Sequence, residues 1–227
     1  MEALILTKSA MFKHGNYGSC VTAHDLANNR LVRFVSDIDG SPIPYDFSNR
    51  FEVFDYISVD VMDECPIQPQ MENLLVHIPS FRILRRYQPG VIESVYGMLP
   101  PTSAPRFMDK RGDRLYSVEK YNHSLELIRV SGLRIFRKVY DDSKKATGKA
   151  EFWYNSNKWD SMSVTDPKFD IRKTERKEWE IGDAYLMVSI PTEPYITEKD
   201  GKNLGYFKFV AAIYPVHEPG FQGQIST

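Results

Sequence analysis

Arg134, Phe136, Lys138 and Tyr140 set a cation, a ring, a cation and a ring at alternate positions of one strand-like run, Leu133–Tyr140. Successive side chains of a strand point to opposite faces, so these four share a face. Rings interleaved with cations suit single-stranded nucleic acid, because bases stack on the rings and phosphates meet Lys or Arg. Trp153 and Trp159 add rings in the runs that follow. Phe152 and Tyr154 share the face opposite Trp153, so either that pair or Trp153 points outward. Lys144-Lys145-Ala146-Thr147-Gly148-Lys149 reads as a basic hairpin tip. The candidate nucleic-acid-binding residues are therefore Arg134, Phe136, Lys138, Tyr140, Lys144, Lys145, Lys149, Trp153 and Trp159. The competing reading is that the rings of a small barrel fill its core and that the lysines sit on a solvated turn.

Catalytic chemistry has no comparable foothold. The sequence holds no HExxH, no Walker A loop, no GxSxG and no CxxC pair. Its five histidines, His14, His24, His77, His123 and His217, lack metal-ligand spacing. His24 and Asp25 are adjacent in a strand-like run, which turns them to opposite faces and denies them the contact of a base and its orienting carboxylate. The glycines of Lys13-His14-Gly15-Asn16-Tyr17-Gly18 precede a strand rather than the helix N-terminus that a phosphate cradle needs. No catalytic residue, metal ligand or cofactor is assigned, and an enzyme acting on nucleic acid ranks third among the readings.

Charge is distributed unevenly. The 227 residues carry a formal net charge of -1, which argues against a protein that coats nucleic acid by bulk basicity. From Asp37 to Ser80, however, nine acidic residues face one basic residue, and from Arg106 to Lys149 twelve basic residues face six acidic ones. Such polarity can steer a phosphate backbone toward the second half, dock the halves on each other, or dock a charged protein. Met1-Glu2-Ala3 leads into Leu4-Ile5-Leu6 without the basic start of a signal peptide, and no apolar stretch approaches the roughly 20 residues that span a bilayer. Cys20 and Cys65 read as buried free thiols. These features suggest a cytoplasmic protein with no membrane partner, and they leave the oligomeric state open.

The elements that must position the candidate residues are mostly strands. In the first half the runs are Ala3–Lys8, Ser19–His24, Arg30–Ser36, Phe51–Met62 and Asn73–Ile78, with Asn28-Asn29 as a tight hairpin turn. Val91–Leu99 is the one clear helical stretch, with Val91, Val95 and Met98 on one face, Pro89-Gly90 before it and Pro100-Pro101 after it. The second half offers Leu125–Val130, Leu133–Tyr140, Lys149–Asn155, Lys158–Val164, Ala184–Ile190 and Gly205–Val216. Lys168–Gly182 is too charged for a central strand and reads as an excursion. The expected organisation is a β domain over 1–100 closed by the helix, a linker over 101–123, a second β domain over 124–216, and a flexible tail over 217–227.

Several of these runs, in order, resemble a prokaryotic family called the dual OB-containing domain. The matching pieces are Leu4-Ile5-Leu6-Thr7-Lys8-Ser9, Gly18-Ser19-Cys20-Val21-Thr22-Ala23, Leu31-Val32-Arg33-Phe34-Val35-Ser36 and Glu72-Asn73-Leu74-Leu75 in the first half. Leu127-Ile128-Arg129-Val130, Ser163-Val164-Thr165-Asp166-Pro167, Met187-Val188-Ser189 and Lys208-Phe209-Val210-Ala211-Ala212-Ile213 follow in the second. The resemblance implies a mainly β protein of two tandem OB-like small barrels with a short connecting helix. It implies no settled activity and transfers no catalytic residues. The leading expectation is a non-catalytic accessory module that binds single-stranded DNA or RNA through the second barrel. The alternative is an adaptor subunit whose charged halves recognise partners in a larger complex.

Overall fold

A computed structural model describes residues 1–13, 16–100, 105–139, 146–171, 174, 176–197 and 200–216. The first half runs β1 (Glu2–Lys13), β2 (Asn16–Asp25), β3 (Arg30–Val35), β4 (Ile43–Pro44), α1 (Tyr45–Ser48), β5 (Asp55–Ser58), β6 (Val61–Glu64), β7 (Asn73–Val76), β8 (Arg82–Arg86) and α2 (Val91–Met98). A short β9 (Arg114–Leu115) precedes the second half, which runs β10 (Leu125–Val139), β11 (Ala146–Tyr154), β12 (Asn157–Val164), β13 (Glu178–Ser189), β14 (Tyr206–Phe207) and β15 (Phe209–Pro215).

In the second half β10, β11, β12, β15 and β13 form a closed barrel in that order, with β12 and β15 parallel and the other pairs antiparallel. The first half repeats the plan. β1, β2 and β3 form a meander, β3 pairs in parallel with β7, and β5 returns antiparallel to β1. Only Val59 and Asp60 separate β5 from β6, and β6 pairs with β7. One bent stretch, 55–64, thus touches both ends of the curled sheet. This five-strand order, twice over, gives the two OB-like barrels that the strand-and-breaker pattern foretells.

Each barrel has its own core, and the strand period explains how a third core joins them. Ala3 and Ile5 point into the first barrel with Val21, Phe34, Phe51 and Ile57, whereas Leu4 and Leu6 point away from it. In the second barrel Ile128, Val130, Leu186, Val188 and Ile213 face inward, whereas Leu125, Leu127, Tyr185, Met187 and Tyr214 face the first half. α2 seals this seam with Ile92 and Val95. Met98, expected on the same helix face, is 46% exposed, because the seam takes the Ile92 side of the helix instead.

Several local expectations need correction. The 101–123 stretch expected as a linker sends Phe107, Met108, Leu115, Val118 and Tyr121 into the second core. Gln68 of the first half binds it, donating to the carbonyls of Val118 at 3.0 Å and Tyr121 at 2.6 Å. The expected strand Phe51–Met62 starts only at Asp55, since Phe54 adopts a positive φ of 74°. The charged excursion ends at Lys177: Glu178–Gly182 belongs to β13, with Trp179 turned inward and Glu178 and Glu180 outward. The hairpin between β2 and β3 is a four-residue turn, 26–29, held by Asp25, which accepts from the backbone N–H of Ala27 at 3.1 Å. β8 falls outside the strand runs read from the sequence. Both cysteines are free, and the 217–227 tail lies outside the described residues. No helix among the described residues is long and apolar enough to cross a membrane.

A buried polar knot crosses the seam. The Arg33 guanidinium donates to Ser124 Oγ at 2.8 Å and to Cys20 Sγ, and lies 3.7 Å from the Glu72 carboxylate. Glu72 accepts in turn from the Ser124 backbone N–H at 3.2 Å. Arg33→Ala is expected to cost about 3–5 kcal/mol in urea unfolding, because it strands a buried carboxylate. The double variant Arg33→Ala/Glu72→Gln should cost less than the single one. A double variant no more stable than Arg33→Ala would mean that the orphaned charge is not the cause.

Candidate nucleic-acid interface

A bulge at Ser131–Gly132 divides β10, with Gly132 at φ +58°, a conformation that costs glycine little. Beyond it Leu133 and Ile135 point into the barrel, and Arg134, Phe136 and Lys138 point outward, as the period of two requires. The Arg134 guanidinium lies over the Phe136 ring, 5.4 Å from its centroid. It is also held by two carboxylates, Glu151 at 2.9 Å and Glu178 at 2.8 Å. Lys158 approaches Glu151 from the other side at 3.8 Å. Lys138 is exposed and reaches Ser161 Oγ at 3.4 Å.

The alternation of Phe152, Trp153 and Tyr154 resolves in favour of Trp153 as the outward ring. Phe152 and Tyr154 are core, whereas Trp153 is 49% exposed. Its neighbours in register are Ser131 on β10 and Lys158 on β12. Ser131 and Gly132 are small, and a Cβ added at Gly132 would come within 3.4 Å of the indole Cδ1. The ring lies against these small residues and stays about half exposed.

Two members of the sequence-derived set are indoors. Trp159 is 5% exposed, stacked on Phe152 with centroids 6.1 Å apart and planes 7° from parallel. It belongs to the barrel core and is not available to a base. Lys149 is buried too, its Nζ donating to Ser163 Oγ at 2.8 Å. Trp159 stands in register opposite the inward-facing Phe152, and Lys149 lies between Phe136 and Ser163 in the ladder. Lys208 is fully buried, with its Nζ 4.6 Å from the Trp159 ring centroid and donating to the Lys110 carbonyl. Burial pulls its pKa from the ordinary 10.5 to about 8, against the opposing pull of Glu126 and Asp113. Tyr140, Lys144 and Lys145 lie outside the described residues.

A second ring-and-cation group escaped the sequence reading. β9 pairs with β14, setting Arg114 opposite Phe207, with the guanidinium 4.6 Å from the ring centroid. Tyr195 meets the same ring edge-on at 5.9 Å, and Tyr116, which follows β9, is 80% exposed. The arrangement depends on Gly205, at φ +86°, where a Cβ would fall 2.4 Å from the Leu115 carbonyl oxygen. The residues come from three distant stretches, so no spacing announces them. Part of this group lies on the connection from β13 to β15, one of the two loops that flank the ligand face of OB barrels.

Two histidines weighed in the sequence, His24 and His123, have structural partners. His24 Nε2 is paired with Asn29 Oδ1 at 2.8 Å, while Asp25 binds the turn that follows it. His123 and Arg106 are both spent on the buried Glu126, each at 3.2 Å. Among the described residues no three His, Cys, Asp or Glu side chains gather as a metal site.

A family described as the dual OB-containing domain matches residues 1–213. No curated protein and no solved structure matches the chain.

The two tryptophans should separate in one experiment. Trp159→Ala is expected to cost about 3–5 kcal/mol of folding stability, and Trp153→Ala less than about 1 kcal/mol. Equal losses would mean that Trp153 is a packing residue. Lys208 predicts a pH dependence of stability. Between pH 8 and its unfolded pKa the amine is neutral when folded and protonated when unfolded, so the unfolded state binds more protons. Unfolding free energy should therefore rise with pH through about 8 to 10. Lys208→Met should flatten that rise, and a variant that keeps the wild-type slope would exclude Lys208 as its source.

Proposed function

The chain belongs to the dual OB-containing domain family, and from that premise we propose that its second barrel binds single-stranded nucleic acid, as an accessory module rather than a catalyst. The observation that carries the reading is Trp153. Its ring stands half-exposed on the outer side of the second and third barrel strands, between Ser131 and Lys158, where OB barrels commonly hold oligonucleotides. Phe136 under the Arg134 guanidinium and the Tyr116, Tyr195 and Phe207 rings supply further stacking surface on the same barrel. The cations are not in large surplus, because Glu151 and Glu178 offset Arg134. Binding of this kind leans on stacking more than on charge, and it reads sequence weakly, since every base has a π-face.

The test is titration of labelled single-stranded DNA and RNA across a salt series. Trp153→Ala should weaken binding by about 1–3 kcal/mol for every sequence alike. Neutralising Lys138 and Lys158 together should lower the slope of log affinity against log salt by about 1.4 if both meet phosphates. Glu151→Gln should tighten binding by removing a repelling carboxylate. If the folded wild type shows no salt-sensitive binding at micromolar concentration, the reading fails, and the adaptor account becomes the better one.

A further inference from the structure

β8 is the terminal strand of the first sheet, paired only with β5. All five of its residues, Arg82-Ile83-Leu84-Arg85-Arg86, are exposed, including Ile83 at 41% and Leu84 at 49%. Its second edge has no strand partner among the described residues. Beside it opens a cleft of about 220 Å³ walled by Phe47, Phe51, Ile78, Phe81 and Ile83, with Arg50 and Arg82 at its rim. Arg86 is paired with the buried Asp55 at 3.2 Å. Arg50 and Arg85 each lie over a ring, Phe47 and Tyr87, and neither they nor Arg82 meets a carboxylate among the described residues.

We propose that the free edge of β8 docks an extended segment of a partner protein that alternates acidic and apolar residues. An open edge offers unpaired N–H and C=O groups to an incoming strand. The cleft receives one apolar side chain of that strand, and Arg82, Arg85 and Arg50 meet its carboxylates. Charge selects among the possible occupants. A second copy pairing antiparallel about Leu84 would set Arg82 against Arg86 of its mate, and like charges opposite each other in a ladder are destabilising. A nucleic-acid strand would have to run along a half whose 37–80 segment carries nine acidic residues against one basic, whereas a short segment engages only the local arginines. This site is separate from the barrel face proposed above and stands or falls without it.

Arginines on an exposed edge also serve to block pairing, and binding separates the two roles. The probe is a labelled peptide alternating valine and glutamate, with its valine–lysine counterpart as control, titrated by fluorescence anisotropy and followed by amide hydrogen exchange. The acidic peptide alone should bind and should slow exchange along Arg82–Arg86. Arg82→Glu/Arg85→Glu should weaken it at least about tenfold and should transfer binding to the lysine peptide. Arg82→Gln/Arg85→Gln should weaken it without that transfer, and melting temperature certifies that each variant is folded. The proposal is overturned if neither peptide binds at millimolar concentration, or if both bind alike. It is equally overturned if charge reversal changes nothing, or if protection falls elsewhere. Protection of β8 by single-stranded DNA in place of the peptide would also overturn it.

Discussion

Leu4 and Leu6 leave β1 on one side, Ala3 and Ile5 on the other, and all four are buried. A strand that is apolar on both faces can satisfy itself only between two cores, and this molecule has such strands on each side of its seam. Leu125 and Leu127 of β10, Tyr185 and Met187 of β13, and Tyr214 of β15 answer from the second barrel. Each fully buried side chain of this kind is worth about 1.5–3 kcal/mol relative to exposure, so neither barrel keeps its fold energy intact without the other. The Arg33, Glu72 and Ser124 knot adds direction to that apolar contact, since its hydrogen bonds form in one alignment of the halves.

The seam also decides where function can sit. By occupying β1, β13, β15 and the start of β10, it leaves other strand surfaces open among the described residues, including the outer side of β10 to β12 and the exposed edge strand β8. The first carries Trp153 and the salt-bridged Arg134; the second carries the arginine edge. One barrel thus presents rings in a nearly balanced field of charge, and the other presents cations on an otherwise acidic half.

The sequence conveyed the architecture well because double-sided burial leaves near-continuous apolar runs, such as Leu4-Ile5-Leu6 and Tyr185-Leu186-Met187-Val188, between turn residues. Alternation likewise placed Arg134, Phe136 and Lys138 on a common face. It could not say which face of Phe152-Trp153-Tyr154 was wet, since that depends on Ser131 and Gly132 across the ladder. Nor could it bury Trp159, whose register opposite Phe152 turns it into the core, or Lys149, which bonds to Ser163 across the ladder. Arg134 looked like a cation awaiting phosphate, yet Glu151 and Glu178 reach it only through pairing on both sides of β10. The 101–123 stretch reads as a linker for another reason: it lends side chains to the second core from irregular positions, Phe107, Met108, Leu115, Val118 and Tyr121, and irregularity reads as loop. Glu178–Gly182 misled through composition, because its charges all lie on the outward face.

The Tyr214 hydroxyl donates to the Leu6 carbonyl, joining residues 208 apart in the chain. On the ribosome, β1 would emerge long before β15 exists to cover its outer side. At about 5–20 residues per second, the nascent chain waits on the order of ten to forty seconds with Leu4 and Leu6 uncovered. For that interval the outer side of β1 has no second barrel to lie against, so the apolar flank that later joins the halves is the part of the nascent first half most open to unwanted contacts.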